Sequence, residues 1–155
     1  MNLRFAVEND LDQVNVLRRQ VFDLHAAGKP EIFKPDFTDA LRDYIRIVFA
    51  DPDRRILVAE EENAIVGFAV LNHIIRPESP FMHVRDYLDI DEFCVDAGHR
   101  RQGIASAMIA FIRDWAREQG FTQLELNMWE FNRGALAFYE AAGFSTYRRY
   151  MEMKL

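Results

Sequence analysis

Asp91-Glu92-Phe93-Cys94-Val95-Asp96-Ala97-Gly98-His99-Arg100-Arg101-Gln102-Gly103-Ile104-Ala105-Ser106 is the stretch on which the fold turns. Its first five residues close a segment, Tyr87 to Val95, in which acidic and apolar residues alternate as on a strand with one buried face. Asp96 to Gln102 is a short polar loop. From Gly103 to Gln119 the apolar residues Ile104, Met108, Phe111, Ile112 and Trp115 recur at helical spacing, and Gly120 suits the C-terminal cap. Strand, loop and helix in that order leave free N–H groups at the helix start, where the helix dipole favours an anion. Gly103 has no side chain to hold a phosphate away, and Ala105 keeps the second turn narrow. Arg100 and Arg101 add forked donors, and Ser106 adds a hydroxyl. Taken alone, the loop is equally a helix start with a surface basic pair. It is neither a Walker loop nor a dinucleotide fingerprint.

Working outward, Leu3 to Val7 reads as a strand, and Asn9 or Asp10 can cap a helix. Leu11, Val14, Leu17, Val21 and Leu24 form its apolar stripe, and Gly28 ends it. A loop with two prolines leads to a second helix from about Asp36, with Phe37, Leu41, Tyr44, Ile45 and Val48 inward and Asp51-Pro52-Asp53 as its stop. Arg55 to Glu60 and Ala64 to Ile75 read as strands joined by a hairpin turn at Glu61–Asn63. Beyond the central helix, Thr122 to Met128 reads as a strand, Asn132 to Ala142 as a helix closed by Gly143, and Phe144 to Lys154 as a last strand or hairpin. The order β-α-α-β-β-β-α-β-α-β is a mixed α/β, or α+β, fold: a sheet flanked by about four helices.

The second half of the site is Asn132-Arg133-Gly134-Ala135-Leu136-Ala137-Phe138-Tyr139-Glu140-Ala141-Ala142-Gly143-Phe144. Asn132 is a good N-cap, and Tyr139, seven residues on, lies on the same helix face. Arg100-x-x-Gly103-x-Ala105 followed by Asn132-x-x-Ala135-x-x-Phe138-Tyr139-Glu140-x-x-Gly143-Phe144 resembles the GNAT superfamily of acyl-CoA N-acyltransferases. The resemblance is close over Tyr87–Phe144 and looser before it. It implies a mostly antiparallel central sheet and acetyl-CoA as cosubstrate. Residues Arg100, Arg101, Gln102, Gly103, Ile104, Ala105 and Ser106 would hold the pyrophosphate of coenzyme A. The strand ending at Val95 and the strand around Leu124–Met128 would splay apart, with pantetheine between them against backbone at Phe93, Cys94 and Val95. Asn132, Ala135, Phe138 and Tyr139 would complete the cofactor side.

The chemistry is attack of a neutral amine on a thioester. A lysine-like ammonium needs a proton acceptor, since its pKa is about 10.4. Asp89, Asp91 and Glu92 lie on the third-strand segment. Strict alternation sets Asp89 and Asp91 on one face and Glu92 on the other, unless a bulge intervenes, as is common here in the family. By similarity, Asp91 and Glu92 lead, with Glu92 slightly preferred. A backbone N–H near Cys94 or Val95 could serve the oxyanion. The resemblance makes Tyr139 the general acid for the leaving thiolate. Cys94 as an acyl-carrying nucleophile is the lesser reading beside a small apolar strand residue. His25, His73, His83 and His99 have no metal-helix spacing, and no metal is implied.

The chain has 155 residues, with 19 Lys and Arg against 25 Asp and Glu, for a net charge of −6. That length fits one domain, residues 1–155. The acidic balance disfavours nonspecific nucleic-acid binding. One cysteine excludes an intrachain disulfide. No apolar run is long enough to span a membrane, and Met1-Asn2-Leu3-Arg4 lacks a signal-peptide plan, so a cytoplasmic location is expected. Phe33, Phe37, Phe81, Tyr87 and Tyr147 beside Glu31, Glu78, Asp86 and Glu130 suit a small cationic amine as acceptor. Trp129 and Phe131 could shape that pocket. The alternatives are a protein α-amine or lysine acceptor, or an acyl-CoA-binding domain without catalysis. Dimers are frequent in the family, and Phe144–Leu155 offers one interface for a homodimer.

Overall fold

The computed structural model describes all 155 residues, Met1–Leu155. Strand β1 (Asn2–Phe5) leads through a 3-10 turn into helix α1 (Leu11–Gly28), followed by α2 (Asp39–Ala50). Strands β2 (Arg54–Glu61), β3 (Ala64–Arg76) and β4 (Arg85–Val95) come next, then a second 3-10 turn, Ala97–His99. Helix α3 (Ile104–Glu118), strand β5 (Leu124–Leu126) and helix α4 (Arg133–Ala141) complete the order. The sheet runs β1-β2-β3-β4-β5, antiparallel except for the parallel β4–β5 pair. That parallel pair requires a crossover, which α3 supplies.

Local chemistry explains the boundaries. Thr38 caps α2, accepting a hydrogen bond from the Leu41 N–H at 3.4 Å, so the helix starts at Asp39 rather than near Asp36. The β2–β3 hairpin closes on Glu62 and Asn63, both at positive φ, as a two-residue type I′ connection demands. In α1 the buried set is Leu11, Val14, Asn15, Leu17 and Arg18, while Leu24 is exposed. The inward stripe therefore runs through Arg18, a polar residue that a count of apolar positions skips.

Each face of the sheet carries its own core. Leu57, Ala69, Leu71, Leu88 and Ile90 meet Ile104, Met108 and Ile112 of α3. Ile56, Val58, Phe68, Val70 and Cys94 meet Leu11, Val14 and Leu17 of α1 and Ile45 and Val48 of α2. Both clusters are centred on β2, β3 and β4, and the long β3–β4 ladder fixes β4 where the site is built. The expected last strand, Phe144–Lys154, is not formed. Strand β5 offers three residues of ladder and pairs only with β4. The tail is held by side chains instead: Tyr147 Oη donates to Glu125 Oε2 at 2.8 Å, and Lys29 pairs with Glu152.

Candidate functional site

Strand β4 is bulged where the sequence left the parity of its acids open. Val70 of β3 faces Glu92, but Leu71 faces Ile90, so Asp91 is the extra, unpaired residue. Before the bulge, Leu88 and Ile90 point to the α3 side and Asp89 to the α1–α2 side. After it, Glu92 and Cys94 point to the α1–α2 side. Without the bulge, Phe93 would turn away from the α3–α4 side; with it, Phe93 and Val95 pack there.

The strands part at the same point. The β4–β5 ladder covers only Leu88–Ile90 against Leu124–Leu126. Beyond Ile90 the edge of β4 that faced β5 has no ladder partner. Phe93 sits over this opening, its ring 6.1 Å from Phe138 and 6.2 Å from Tyr139 of α4. Helix α4 is started by Asn132, whose Oδ1 accepts from the Ala135 N–H at 3.2 Å. Two turns later Tyr139 packs against Phe93, Phe138 and Phe144. Burial pushes its phenol up to about 12, and the proximity of Cys94 adds to the rise.

The loop ahead of α3 is built for close approach. Arg101 and Gly103 have φ of 64° and 84°, and a Cβ at Gly103 would meet nothing within 4 Å. The backbone before the helix N-terminus is therefore open on the side of Gly103. Ile104 is 3% exposed and packs into the α3-side core, so its side chain anchors the start of the helix. Arg100 Nε donates to the Val95 carbonyl at 3.3 Å, and Gln102 Nε2 to the Gly98 carbonyl at 3.4 Å. Asp96 stiffens the approach to the loop. It accepts from Gln20 Nε2 at 2.7 Å and the Gly98 N–H at 2.9 Å, and it touches His99 Nδ1 at 2.8 Å. The Gln20 bond leads the causes that hold this carboxyl below its ordinary 3.8. Ser106 and Phe138 line a cavity of about 270 Å³ between α3 and α4, floored by Ile109 and Ala142.

On the opposite side of the sheet, Glu92 is bound rather than free. Arg18 donates to both its carboxylate oxygens, at 2.8 and 3.0 Å. The guanidinium also bonds Asn15 Oδ1 at 3.1 Å and the Leu41 carbonyl at 2.8 Å, and it lies 5.9 Å from the rings of Phe37 and Tyr44. The Arg18–Glu92 pair ties α1 to β4. Sequence reasoning missed Arg18, although it falls four residues after Val14 and three before Val21.

Aromatic side chains cluster between the end of α1 and the β5–α4 connection. His25 stacks on Phe33 at 5.2 Å, Phe33 meets Trp129 at 5.2 Å, and Trp129 stacks on Phe131 at 6.3 Å. A Cβ at Gly28 would come within 2.3 Å of Phe131, so the end of α1 and the β5–α4 connection fit directly together. Burial holds His25 below its ordinary 6.5, against the opposing pull of the Glu92 charge. Cys94 is buried, and its thiol is pushed up to about 11, chiefly by desolvation. A thiol so held is a poor nucleophile at neutral pH.

The chain belongs to the acetyltransferase (GNAT) family, whose model matches residues 18–144. It is similar to N-acetyltransferase 8F1 of Rattus norvegicus, 33% identical over 97 residues, 62% of this chain and 42% of that one. The chain thus matches less than half the length of that curated relative. Among solved structures, a point mutant of the BH1408 protein of Bacillus halodurans has a TM-score of 0.95 and 26% identity, covering 100% of this chain and 99% of the other. The aminoglycoside N-acetyltransferase AAC(6')-Iy in complex with CoA has a TM-score of 0.73 and 15% identity, covering 99% and 98%. At that identity it shows the fold alone. No helix is long and apolar enough to cross a membrane.

Proposed function

We propose that this chain is an acetyl-CoA-dependent N-acetyltransferase acting on a small cationic amine. The observation that carries the reading is the parting of β4 and β5 immediately beyond the start of the bulge, beside the open N-terminus of α3. Acetyl-CoA, as cosubstrate, supplies a thioester carbonyl activated for attack. Backbone of Arg101–Ser106 and the Arg100 and Arg101 side chains would hold its pyrophosphate. Phe93, Val95, Ala135 and Phe138 would line its path, and Asn132 would fix the start of α4 beside it.

The roles of the acids follow from their partners. Glu92 already accepts two charge-assisted hydrogen bonds from Arg18, so giving it the amine's proton would weaken that pair. We assign Glu92 to positioning. Asp91, exposed at the bulge, takes the ammonium proton directly or through water. Tyr139, protonated across the physiological range, donates to the leaving thiolate. A cationic acceptor suits the carboxylates on the α1–α2 side and the aromatic cluster beside them. Tyr147, Tyr150, Met151 and Met153 of the tail are exposed, and we assign this surface to a homodimer contact, tested by light scattering.

The test is an acetyl-CoA consumption assay with a thiol readout across monoamines, diamines, amino sugars and N-terminal peptides. Turnover on small amines is expected. Turnover on peptides alone would replace the acceptor, and binding of acetyl-CoA without any turnover would overturn the enzymatic reading.

A further inference from the structure

A row of polar side chains crosses the sheet on the α1–α2 side, past the end of the apolar cluster. The ladder registers Arg54 of β2 against Asn72 of β3, Asn72 against Asp89 of β4, and Asp89 against Glu125 of β5. Residues directly opposite in a ladder share a face and stand side by side. Asn72 is 8% exposed, and its Oδ1 is buried without a hydrogen-bond partner. A buried amide oxygen left without a donor is costly, so the absence of a partner points to a ligand.

The neighbouring cations are already engaged. Arg54 bonds Tyr44 Oη at 3.0 Å and pairs with Asp51 at 3.3 Å. Arg85 pairs with Glu125, and Arg76 donates to Tyr87 Oη at 3.2 Å. Arg18 is taken by Glu92. Asp89 is left without a counter-ion of its own, between Asn72 and Glu125 and near Asp91. Burial, then the charges of Asp91 and Glu125, push its carboxyl up to about 6, with Arg76 opposing. What Asp89 and Asn72 Oδ1 both lack is a donor, and an ammonium brings three together with the charge.

We propose that Asn72 and Asp89 form a subsite for a protonated ammonium group of the acceptor, distinct from the amine that is acetylated, which makes the acceptor a diamine or polyamine. The subsite rests on the reading of this chain as a small-amine acetyltransferase. An ammonium held by both Asp89 and Asn72 Oδ1 has its protons engaged and is no nucleophile, so the reacting nitrogen is the other one. Asp91, assigned to that nitrogen, lies two residues along β4, a span of roughly 6–7 Å at ordinary strand rise. A short alkyl chain such as that of 1,4-diaminobutane can bridge two groups so spaced.

Two measurements test the subsite with the purified chain. The first is steady-state acetylation of α,ω-diamines against n-alkylamines of the same length. The wild type should prefer 1,4-diaminobutane over n-butylamine at least about tenfold in kcat/KM. Asp89→Asn, isosteric and safe for folding, and Asn72→Leu should each bring that preference close to one, through KM. The second is titration calorimetry of spermidine into the chain loaded with CoA, which needs no turnover. Affinity should fall at least about tenfold in each variant. Unchanged spermidine affinity and an unchanged diamine preference would overturn the subsite while leaving monoamine acetylation in place. Weakened spermidine binding in the variants, with no amine acetylated by the wild type, would uphold the subsite and overturn the transferase reading.

Discussion

Replacing Arg18 by Met removes one guanidinium and leaves four acceptor atoms behind. These are both oxygens of Glu92, Asn15 Oδ1 and the Leu41 carbonyl, at 2.8 to 3.1 Å in the native chain. Arg18 is 6% exposed, so the variant leaves a carboxylate and a carbonyl to find water through a packed helix–sheet contact. Breaking a buried pair from one side costs about 3–5 kcal/mol. The Glu92 side chain is 22% exposed, which admits some water and sets the expectation at the lower end, about 3 kcal/mol. Glu92→Gln keeps an acceptor for Arg18 and should cost about 1–2 kcal/mol. The double variant should be more stable than the sum of the two losses by at least about 1 kcal/mol. Urea unfolding of the four proteins at pH 7.5 measures all three. An Arg18→Met loss below about 1 kcal/mol, or strict additivity, would refute the argument that this pair joins α1 to β4. In kinetics, Glu92→Gln should act as a positioning change. It should retain the pH profile of kcat, whereas Asp91→Asn should remove the acidic limb of that profile.

Other consequences are expected of single residues. Tyr139→Phe should lower kcat by about 10²-fold while leaving acetyl-CoA affinity within about twofold, read by single-turnover and equilibrium titration. Gly103→Val puts a β-branched residue at a φ of 84° and a side chain where a phosphate would sit. It should raise the KM for acetyl-CoA at least about tenfold, beyond a stability loss of about 1–2 kcal/mol. Cys94→Ala should stay active and form no acyl-enzyme detectable by mass spectrometry, since the thiol is buried and held at about 11. Asp89 carries the opposite sign from an ordinary paired carboxylate. Its carboxyl is raised from 3.8 to about 6, so the native chain holds the proton longer than the unfolded chain does, and stability falls as pH rises between those values. The unscreened loss is about 3 kcal/mol, which partial exposure reduces to about 1 kcal/mol. Asp89→Asn should therefore stabilise the chain at pH 7 by about 1 kcal/mol, with the gain vanishing below pH 4 in a thermal-unfolding series.

The elements that were legible in the sequence are those whose boundaries are set locally. The glycines and caps around α1, α3 and α4 placed those helices to within a few residues, and the turn residues placed the β2–β3 hairpin, though not the bulge that shifts its register at Ala59/Glu60. Loop and helix start at Arg100–Ser106 were legible because the glycine, the small residues and the onset of the apolar periodicity lie close together in sequence. The acids of β4 were legible as types but not as roles. Their faces depend on a one-residue bulge, and their partners lie far along the chain: Arg18, 74 residues from Glu92, and Asn72 across the ladder from Asp89. Asn72 gave no signal, since it sits within the Ala64–Ile75 strand reading and belongs to no motif. The tail failed for the same nonlocal reason. Phe144–Lys154 has strand-forming residues, but only the short β5 lies beside it, and pairing needs a partner edge.

The most direct test of the account is the structure of the chain with coenzyme A bound. The pyrophosphate should lie against backbone N–H groups of the Arg101–Ser106 segment, in the open space before Gly103. Pantetheine should run between β4 and β5 beyond Ile90, with its sulfur near Tyr139. Coenzyme A bound anywhere else, or a β4–β5 gap closed by the chain's own residues, would contradict it.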